Sequence, residues 1–160
     1  MNAATRFAAS IVALSITGGA SSAQAPPVAA EFSLAALAAA HTALEGGAGI
    51  VVPTGVYVRT SVTASSGLTW RNGTVASVSR LESVSRFLLD PFRDSPYGLS
   101  LGGGLGITNA GGGTRWRPYV AFVMDLELGQ ARGWTPAIQI GLGDGARMGV
   151  VLRSGSDRWR

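Results

Sequence analysis

The stretch that decides the fold runs from residue 115 to residue 128 and reads Arg-Trp-Arg-Pro-Tyr-Val-Ala-Phe-Val-Met-Asp-Leu-Glu-Leu. Its even-numbered positions, from Trp116 to Leu128, are all apolar. Its odd-numbered positions carry four charges, which are Arg115, Arg117, Asp125 and Glu127. Alternate side chains of a β-strand point to opposite faces, whereas a helix would scatter these charges around its circumference. The stretch therefore predicts a strand with one apolar face and one charged face.

The same period of two recurs on both sides of this stretch. The alternating runs cover residues 56–64, 97–107, 134–142 and 146–152. Turn residues separate them, and Asn72-Gly73 and Asp144-Gly145 are strong signals for two-residue hairpins. Consecutive strands joined by such short turns pair in antiparallel fashion. The runs therefore predict an all-β, antiparallel up-and-down barrel of about eight strands.

Two segments complete the predicted barrel, which we place at residues 50–153. Residues 79–90 fit either a strand or a helix by their pattern, and we favour a strand because the neighbouring segments are strands and Pro91 ends it. Residues 48–53 offer a short eighth strand. Without that strand the barrel would be incomplete.

The two ends of the chain read differently from the barrel. Residues 1–23 begin with one charge at Arg6, continue with an apolar run over residues 8–16, and end in small residues. That order is typical of a secretory signal peptide and predicts export. After the barrel, residues 154–160 form a polar tail.

Between the signal peptide and the barrel we predict a lead-in, residues 24–49, that contains a short helix over residues 31–45. Ser33 is a suitable N-cap and Gly46-Gly47 a suitable stop. One helical face would carry Leu34, Leu37, His41 and Leu44. His41 on such a stripe is expected to be a packed or half-exposed side chain rather than a metal ligand.

The amino-acid composition limits the kinds of catalytic and metal site that the chain could contain. The chain has no Cys and one His, and all 13 of its basic residues are Arg, against 9 acidic residues. Cysteine-based metal sites and nucleophiles are therefore excluded, and nothing in the sequence places a serine beside His41. The charged fraction of 14% is low for a nucleic-acid binder. We expect no catalysis, no metal, no cofactor and no nucleic-acid partner.

Three features favour a barrel whose apolar face meets lipid and whose charged face points inward. The polar face combines small residues with paired charges, several runs are long enough to cross a membrane, and aromatic residues open several segments. The predicted interior charges are Arg59, Arg80, Glu82, Arg86, Arg117, Asp125, Glu127, Arg147 and Arg153. The predicted lipid-facing residues are Leu99, Leu101, Val120, Phe122, Met124, Leu126, Ile138, Ile140 and Val150. The predicted interface aromatics are Tyr97, Trp116 and Trp134.

The runs at residues 97–107 and 116–126, together with the signal peptide and the short turns, resemble small bacterial outer-membrane β-barrel proteins. The resemblance covers residues 54–153 and lies in the pattern rather than in a motif. It implies an outer-membrane location and a lipid bilayer as partner, with an envelope protein as a further candidate partner.

The function expected from these features is structural or interaction-related, with an interior filled by an Arg/Asp/Glu network. A basic, anion-attracting lumen is the alternative interpretation of the same charges. Three other readings stay open at this point. They are a soluble secreted or periplasmic β-barrel or sandwich with a small apolar ligand inside, an accessory subunit whose strands pair with another chain, and a lipid-modifying enzyme.

Overall fold

A computed structural model describes residues 28–39, 42–71, 73–89, 97–111, 114–129 and 133–154. These residues form one closed sheet in which each strand pairs antiparallel with its sequence neighbours, and the last strand pairs with the first. The prediction of an antiparallel β-barrel of about eight strands is thereby confirmed, and the sheet is closed. The strands are β1 (Ala29–Ala38), β2 (Thr42–Pro53), β3 (Val58–Arg71), β4 (Thr74–Leu88), β5 (Gly98–Ala110), β6 (Arg117–Glu127), β7 (Trp134–Leu142) and β8 (Ala146–Ser154).

The predicted helix over residues 31–45 is wrong, because residues 31–38 lie in β1 and residues 42–45 lie in β2. The segment is rich in Ala and Gly, which suit either face of a sheet, so its alternation is weak in the sequence. Pairing on both sides overrides the local helix propensity, since β1 is bonded to β2 and to β8 over most of its length. The barrel therefore begins at Ala29 rather than at residue 50, and Gly46-Gly47 lies inside a strand instead of ending a helix.

The strands are offset from one another around the barrel. A path that starts at Val52 of β2 and moves from each residue to its partner on the next strand returns to β2 at Thr42. The strands of the closed barrel are therefore staggered by ten residues in total (52 − 42). With ~3.3 Å per residue and ~4.8 Å between strands, this offset gives a strand tilt of about 40° and a barrel radius of about 8 Å. Such an interior is just wide enough for side chains to fill.

Short hairpins join the strands. Gly73 and Gly145, in the two hairpins predicted from Asn-Gly and Asp-Gly, both have positive φ, at 78° and 139°, a region that glycine adopts readily. The ambiguous segment over residues 79–90 is a strand as far as Leu88. The described residues contain no helix long and apolar enough to cross a membrane.

Several sequence predictions lie outside the described residues: the signal peptide over residues 1–23, His41, and the tail beyond Ser154. β1 begins and β8 ends at the same end of the barrel. We call this the terminal end and the opposite end the far end.

Candidate functional site: the charged barrel interior

The inner face of the barrel alternates charged side chains with small ones. Glycines make room for the larger groups at two places where a Cβ would collide. At Gly106 it would overlap Cζ of Tyr119, and at Gly141 it would lie 2.8 Å from Nε of Arg147. These glycines allow long polar side chains to fill a narrow interior.

Six charged residues form one cluster toward the terminal end, which we call the terminal-end cluster. Arg153 is its centre, because its guanidinium lies 2.7 Å from Glu31, 2.9 Å from Glu127 and 2.5 Å from Asp125. Arg59 pairs with Glu127 at 2.5 Å. The remaining member, Arg86, pairs with Asp125, and all six belong to β1, β3, β4, β6 and β8.

Asp125 is the most enclosed carboxylate of this cluster, with no exposed surface. Nε of Arg86 lies 3.0 Å from it, and the amide of Gln139 donates a hydrogen bond to it at 2.8 Å. Arg86 also lies 3.8 Å from Glu31 and donates to the hydroxyl of Ser61. The terminal-end cluster thus holds three arginines and three carboxylates and has no net charge.

A second group of charges, the far-end cluster, consists of Glu45, Arg80, Glu82 and Arg147. Arg80 donates two hydrogen bonds to Glu45, at 3.1 and 3.2 Å, and Arg147 donates one to Glu82 at 2.6 Å. The hydroxyl of Tyr119 donates to Glu82 at 2.7 Å, while Cζ of Arg80 lies 5.0 Å from the centre of the Tyr119 ring. This cluster is also neutral, with two arginines and two carboxylates.

A polar cavity of about 20 Å³ lies between the two clusters and is lined by members of both, including Glu31 and Arg86 on one side and Glu45, Arg80 and Glu82 on the other. A cavity of this size has room for about one water molecule. The described interior at this level is therefore filled with side chains rather than open to a wide channel.

Eight of the nine predicted interior charges lie in these two clusters, and Arg117 does not. Arg117 begins β6 and has the inward parity of its strand, but it is exposed. Strand β7 pairs with β6 only from Phe122 onward, so the first residues of β6 have a neighbouring strand on one side alone. Arg117 therefore extends into solvent at the far end, as does Arg115 before it.

Two carboxylates of the clusters, Glu31 and Glu45, were missed by the sequence analysis because they fell within the predicted helix. Both are buried, at 2% and 4% exposure. A signal for them was present in the sequence: the predicted interior set had six arginines and only three carboxylates, an imbalance that a narrow interior cannot hold without further acids.

The outer face is apolar over most of the circumference. Large side chains such as Leu105, which is 68% exposed, cover it. The residues predicted to face lipid all lie on this face and are exposed: Leu99, Leu101, Val120, Phe122, Met124, Leu126, Ile138, Ile140 and Val150. The barrel thus has the reverse arrangement of a water-soluble protein, with charged side chains inside and apolar side chains outside.

Aromatic residues lie near both ends of this apolar face. Tyr97 and Trp134 are exposed at the terminal end, where the Trp134 ring contacts that of Phe32 at a centroid distance of 5.9 Å. Trp116 and Trp70 are exposed at the far end. The strand register and the tilt of about 40° place Trp70 about 30–35 Å from Trp134 along the barrel axis. Transmembrane barrels have an apolar band about 25 Å tall.

Among the residues that the structure describes, no three His, Asp or Glu side chains come together in a way that could hold a metal ion. The buried carboxylates instead have arginine partners.

Comparisons with known proteins identify structures with a similar fold but no family related by sequence. No protein-family model matches the chain, and no curated protein matches it. Among solved structures, the chain is similar to neisserial surface protein A (NspA), with a TM-score of 0.62 and 11% identity over 81% of this chain and 96% of that one. It is also similar to a de novo designed barrel, TMB2.3, with a TM-score of 0.51 and 14% identity over 83% of this chain and 97% of that one.

A further similarity, to a protein from the de novo design of transmembrane β-barrels, has a TM-score of 0.50 and 9% identity over 82% of this chain and 96% of that one. Each similarity covers most of both chains, and the identities are too low to show more than a shared fold. The chain has the fold of the small bacterial outer-membrane β-barrels.

Proposed function

We propose that this protein is an exported outer-membrane β-barrel of structural or interaction type, without catalysis, whose interior is closed by the two charge clusters. The observation that carries the proposal is the reversed arrangement of the two faces. Fully buried Asp125 and exposed Phe122 lie three residues apart on one strand. In water this arrangement would expose a broad apolar surface, which soluble monomers avoid, whereas in a bilayer it is the expected one.

The same arrangement argues against the two main alternatives. A soluble barrel with an apolar ligand inside needs its apolar face turned inward, but Val120, Phe122, Met124 and Leu126 all point outward. An accessory subunit that pairs its strands with another chain needs a free strand edge, and the closure of β1 on β8 leaves none in the described sheet.

The interior clusters support a structural role because their ion pairs join strands that are not neighbours in the sheet. The Arg59–Glu127 pair connects β3 with β6, and the Arg80–Glu45 pair connects β4 with β2. The Arg153–Glu31 pair reinforces the β1–β8 closure. An anion-attracting lumen would need unpaired positive charge, and each cluster instead has equal numbers of arginines and carboxylates.

The direct test places a charge on the outer face. Phe122 lies near the middle of the apolar band, and we expect Phe122→Arg to destabilise the folded protein in phospholipid vesicles by about 2–4 kcal/mol relative to Phe122→Ala. The matched control is Thr114→Arg in the exposed β5–β6 connection, which should change stability by less than about 0.5 kcal/mol. Folding is followed by urea titration and by the change in gel mobility on heating.

A water-facing outer surface would tolerate the arginine. Equal stability of Phe122→Arg and Phe122→Ala, or a wild-type chain that is monomeric without detergent, would rule out the membrane proposal. Vesicles that contain the folded wild-type protein should show no steady ion conductance, because the interior is filled; a stable open channel would contradict the closed interior while leaving the membrane location intact.

A further inference from the structure

The two ends of the barrel differ in charge. The connections at the far end are residues 39–41, 72–73, 111–116 and 143–145. In these connections and the strand ends beside them, the sequence has the arginines Arg71, Arg115 and Arg117 but only one acid, Asp144. All three arginines are exposed, and Asp144 turns toward the interior, 4.0 Å from Arg80 of the far-end cluster. We call these three arginines the far-end arginines.

The terminal end has a smaller excess of arginine. Its connections, residues 54–57, 89–97 and 128–133, contain two acids and two arginines in the sequence: Asp90, Arg93, Asp94 and Arg132. The tail after Ser154 adds one acid and two arginines. The far end therefore has the larger excess of arginine over carboxylate in the sequence, and its three arginines are exposed.

The far-end arginines also share a height. The pairings Arg71–Thr74, Val78–Ala110 and Thr108–Arg117, together with a tilt of ~40°, place the Cα atoms of Arg71 and Arg117 within about 6 Å of each other along the barrel axis, and Arg115 precedes Arg117 by two residues. Arg71 lies across the mouth from the other two, at a distance of about 15 Å. The positive charge therefore surrounds the mouth instead of forming a patch on one side.

Tryptophan accompanies the arginines on the outer side. Trp70 precedes Arg71, and Trp116 lies between Arg115 and Arg117; both indoles are exposed, at 41% and 47%. Trp is enriched at the boundary between hydrocarbon and headgroups. The three arginines are sequence neighbours of these tryptophans, so their backbones lie close to that boundary and near the level expected for lipid phosphates.

We propose that the far end of the barrel binds the anionic headgroups of the surrounding leaflet through Arg71, Arg115 and Arg117. This inference rests on the proposed membrane location. Arginine suits the role because its planar guanidinium binds phosphate oxygens in a bidentate manner. One basic residue near an anionic lipid surface favours binding by about fivefold, so three around the mouth give a clear preference for anionic over zwitterionic lipid at this end.

The test uses the full chain folded in vesicles of phosphatidylcholine with a minor fraction of brominated lipid, either brominated phosphatidylglycerol or brominated phosphatidylcholine. Bromine quenches nearby tryptophan fluorescence. The variant Trp134→Phe/Trp159→Phe keeps the two far-end reporters, and the variant Trp70→Phe/Trp116→Phe/Trp159→Phe keeps Trp134 as the reporter of the terminal end. The ratio of the two quenching-derived binding constants measures lipid preference at each end.

We expect a preference of at least about fivefold for phosphatidylglycerol at Trp70 and Trp116 and a ratio near one at Trp134. Adding Arg71→Gln, Arg115→Gln and Arg117→Gln should bring the far-end ratio close to one, whereas Arg132→Gln, the control in a terminal-end connection, should leave it unchanged. Raising the salt to 0.5 M should reduce the preference.

The outcomes separate the two proposals. A chain that inserts and shows its heat-dependent gel mobility, but has equal quenching by both lipids at the far end, overturns this inference and leaves the membrane barrel standing. The same preference at Trp134 as at the far end also overturns it, since the charge asymmetry would then have no effect. A chain that inserts into neither vesicle overturns the proposed function itself.

Discussion

Removing a charge of the terminal-end cluster together with its partner should cost less than the sum of the two separate losses. The perturbation is Asp125→Asn, which keeps the shape of the side chain and removes its negative charge. Asp125 is fully buried and contacts Arg153 at 2.5 Å, Arg86 at 3.0 Å and Gln139 at 2.8 Å. The neutral variant leaves three arginines against two carboxylates in a space that bulk water does not reach.

The magnitude follows from this imbalance. Breaking a buried ion pair by removing one partner destabilises a protein by about 3–5 kcal/mol, because the other charge stays buried without compensation. Arg86→Gln should destabilise the protein by a similar amount with the opposite imbalance. The double variant removes both charges and keeps Arg59, Arg153, Glu31 and Glu127, whose mutual contacts of 2.5–2.9 Å are unaffected.

The double variant should therefore be more stable than the sum of the two single losses implies, by about 1–3 kcal/mol. The assay is urea-induced unfolding in phospholipid vesicles, followed by tryptophan fluorescence and by gel mobility. Asp144→Asn is the control, because this carboxylate is 34% exposed and 4.0 Å from Arg80; its loss should change stability by about 0–1 kcal/mol. Strictly additive losses, within about 0.5 kcal/mol, would refute the idea that the cluster acts as one neutral unit.

Three further predictions concern packing on the two faces. Gly104→Ala should destabilise the barrel by about 1–3 kcal/mol, because its Cβ would overlap the backbone oxygen of Ser83. Gly103→Ala, whose Cβ would have no neighbour closer than 3.6 Å, should be nearly neutral in the same urea titration. Tyr119→Phe removes the donor to Glu82 and should reduce stability by about 1–3 kcal/mol; an unchanged midpoint would show that this hydrogen bond contributes nothing. Ser83→Leu, on the exposed outer face of β4, should stabilise the protein in vesicles by about 1 kcal/mol, and destabilisation instead would mean that this face is not covered by lipid.

The strands after residue 97 could be predicted from the sequence because nearly every position there has a strong preference for one face. Leu, Val, Ile and Phe alternate with Gly, Ser or a charge, and the structure preserves that alternation through β5, β6, β7 and β8. The direction of the faces followed from the charges, since side chains such as Asp125 belong on the side away from hydrocarbon.

The first two strands could not be predicted in the same way. Ala35, Ala36, Gly46 and Ala48 fit either face, and Ala and Leu favour helices locally. What makes this segment a strand is contact with distant parts of the chain: Glu31 pairs with Arg153 in the closing register of β1 and β8. Closure of a barrel is a property of the whole sheet, and no local window of sequence contains it.

The predicted set of interior residues could nevertheless have been corrected from the balance of charges alone. A narrow interior inside a bilayer cannot solvate an unpaired guanidinium, so the number of carboxylates sets the number of arginines that it can hold. The predicted set had six arginines and three carboxylates, and the two buried clusters have five of each. The numbers of arginines and carboxylates become equal once Arg117 is removed from the predicted interior set and Glu31 and Glu45, which the predicted helix contained, are added to it. Both corrections follow from the requirement that the interior charges balance. The same requirement places β1 and β2 in the barrel, because a glutamate on either strand can neutralise an interior arginine only if that strand is part of the sheet.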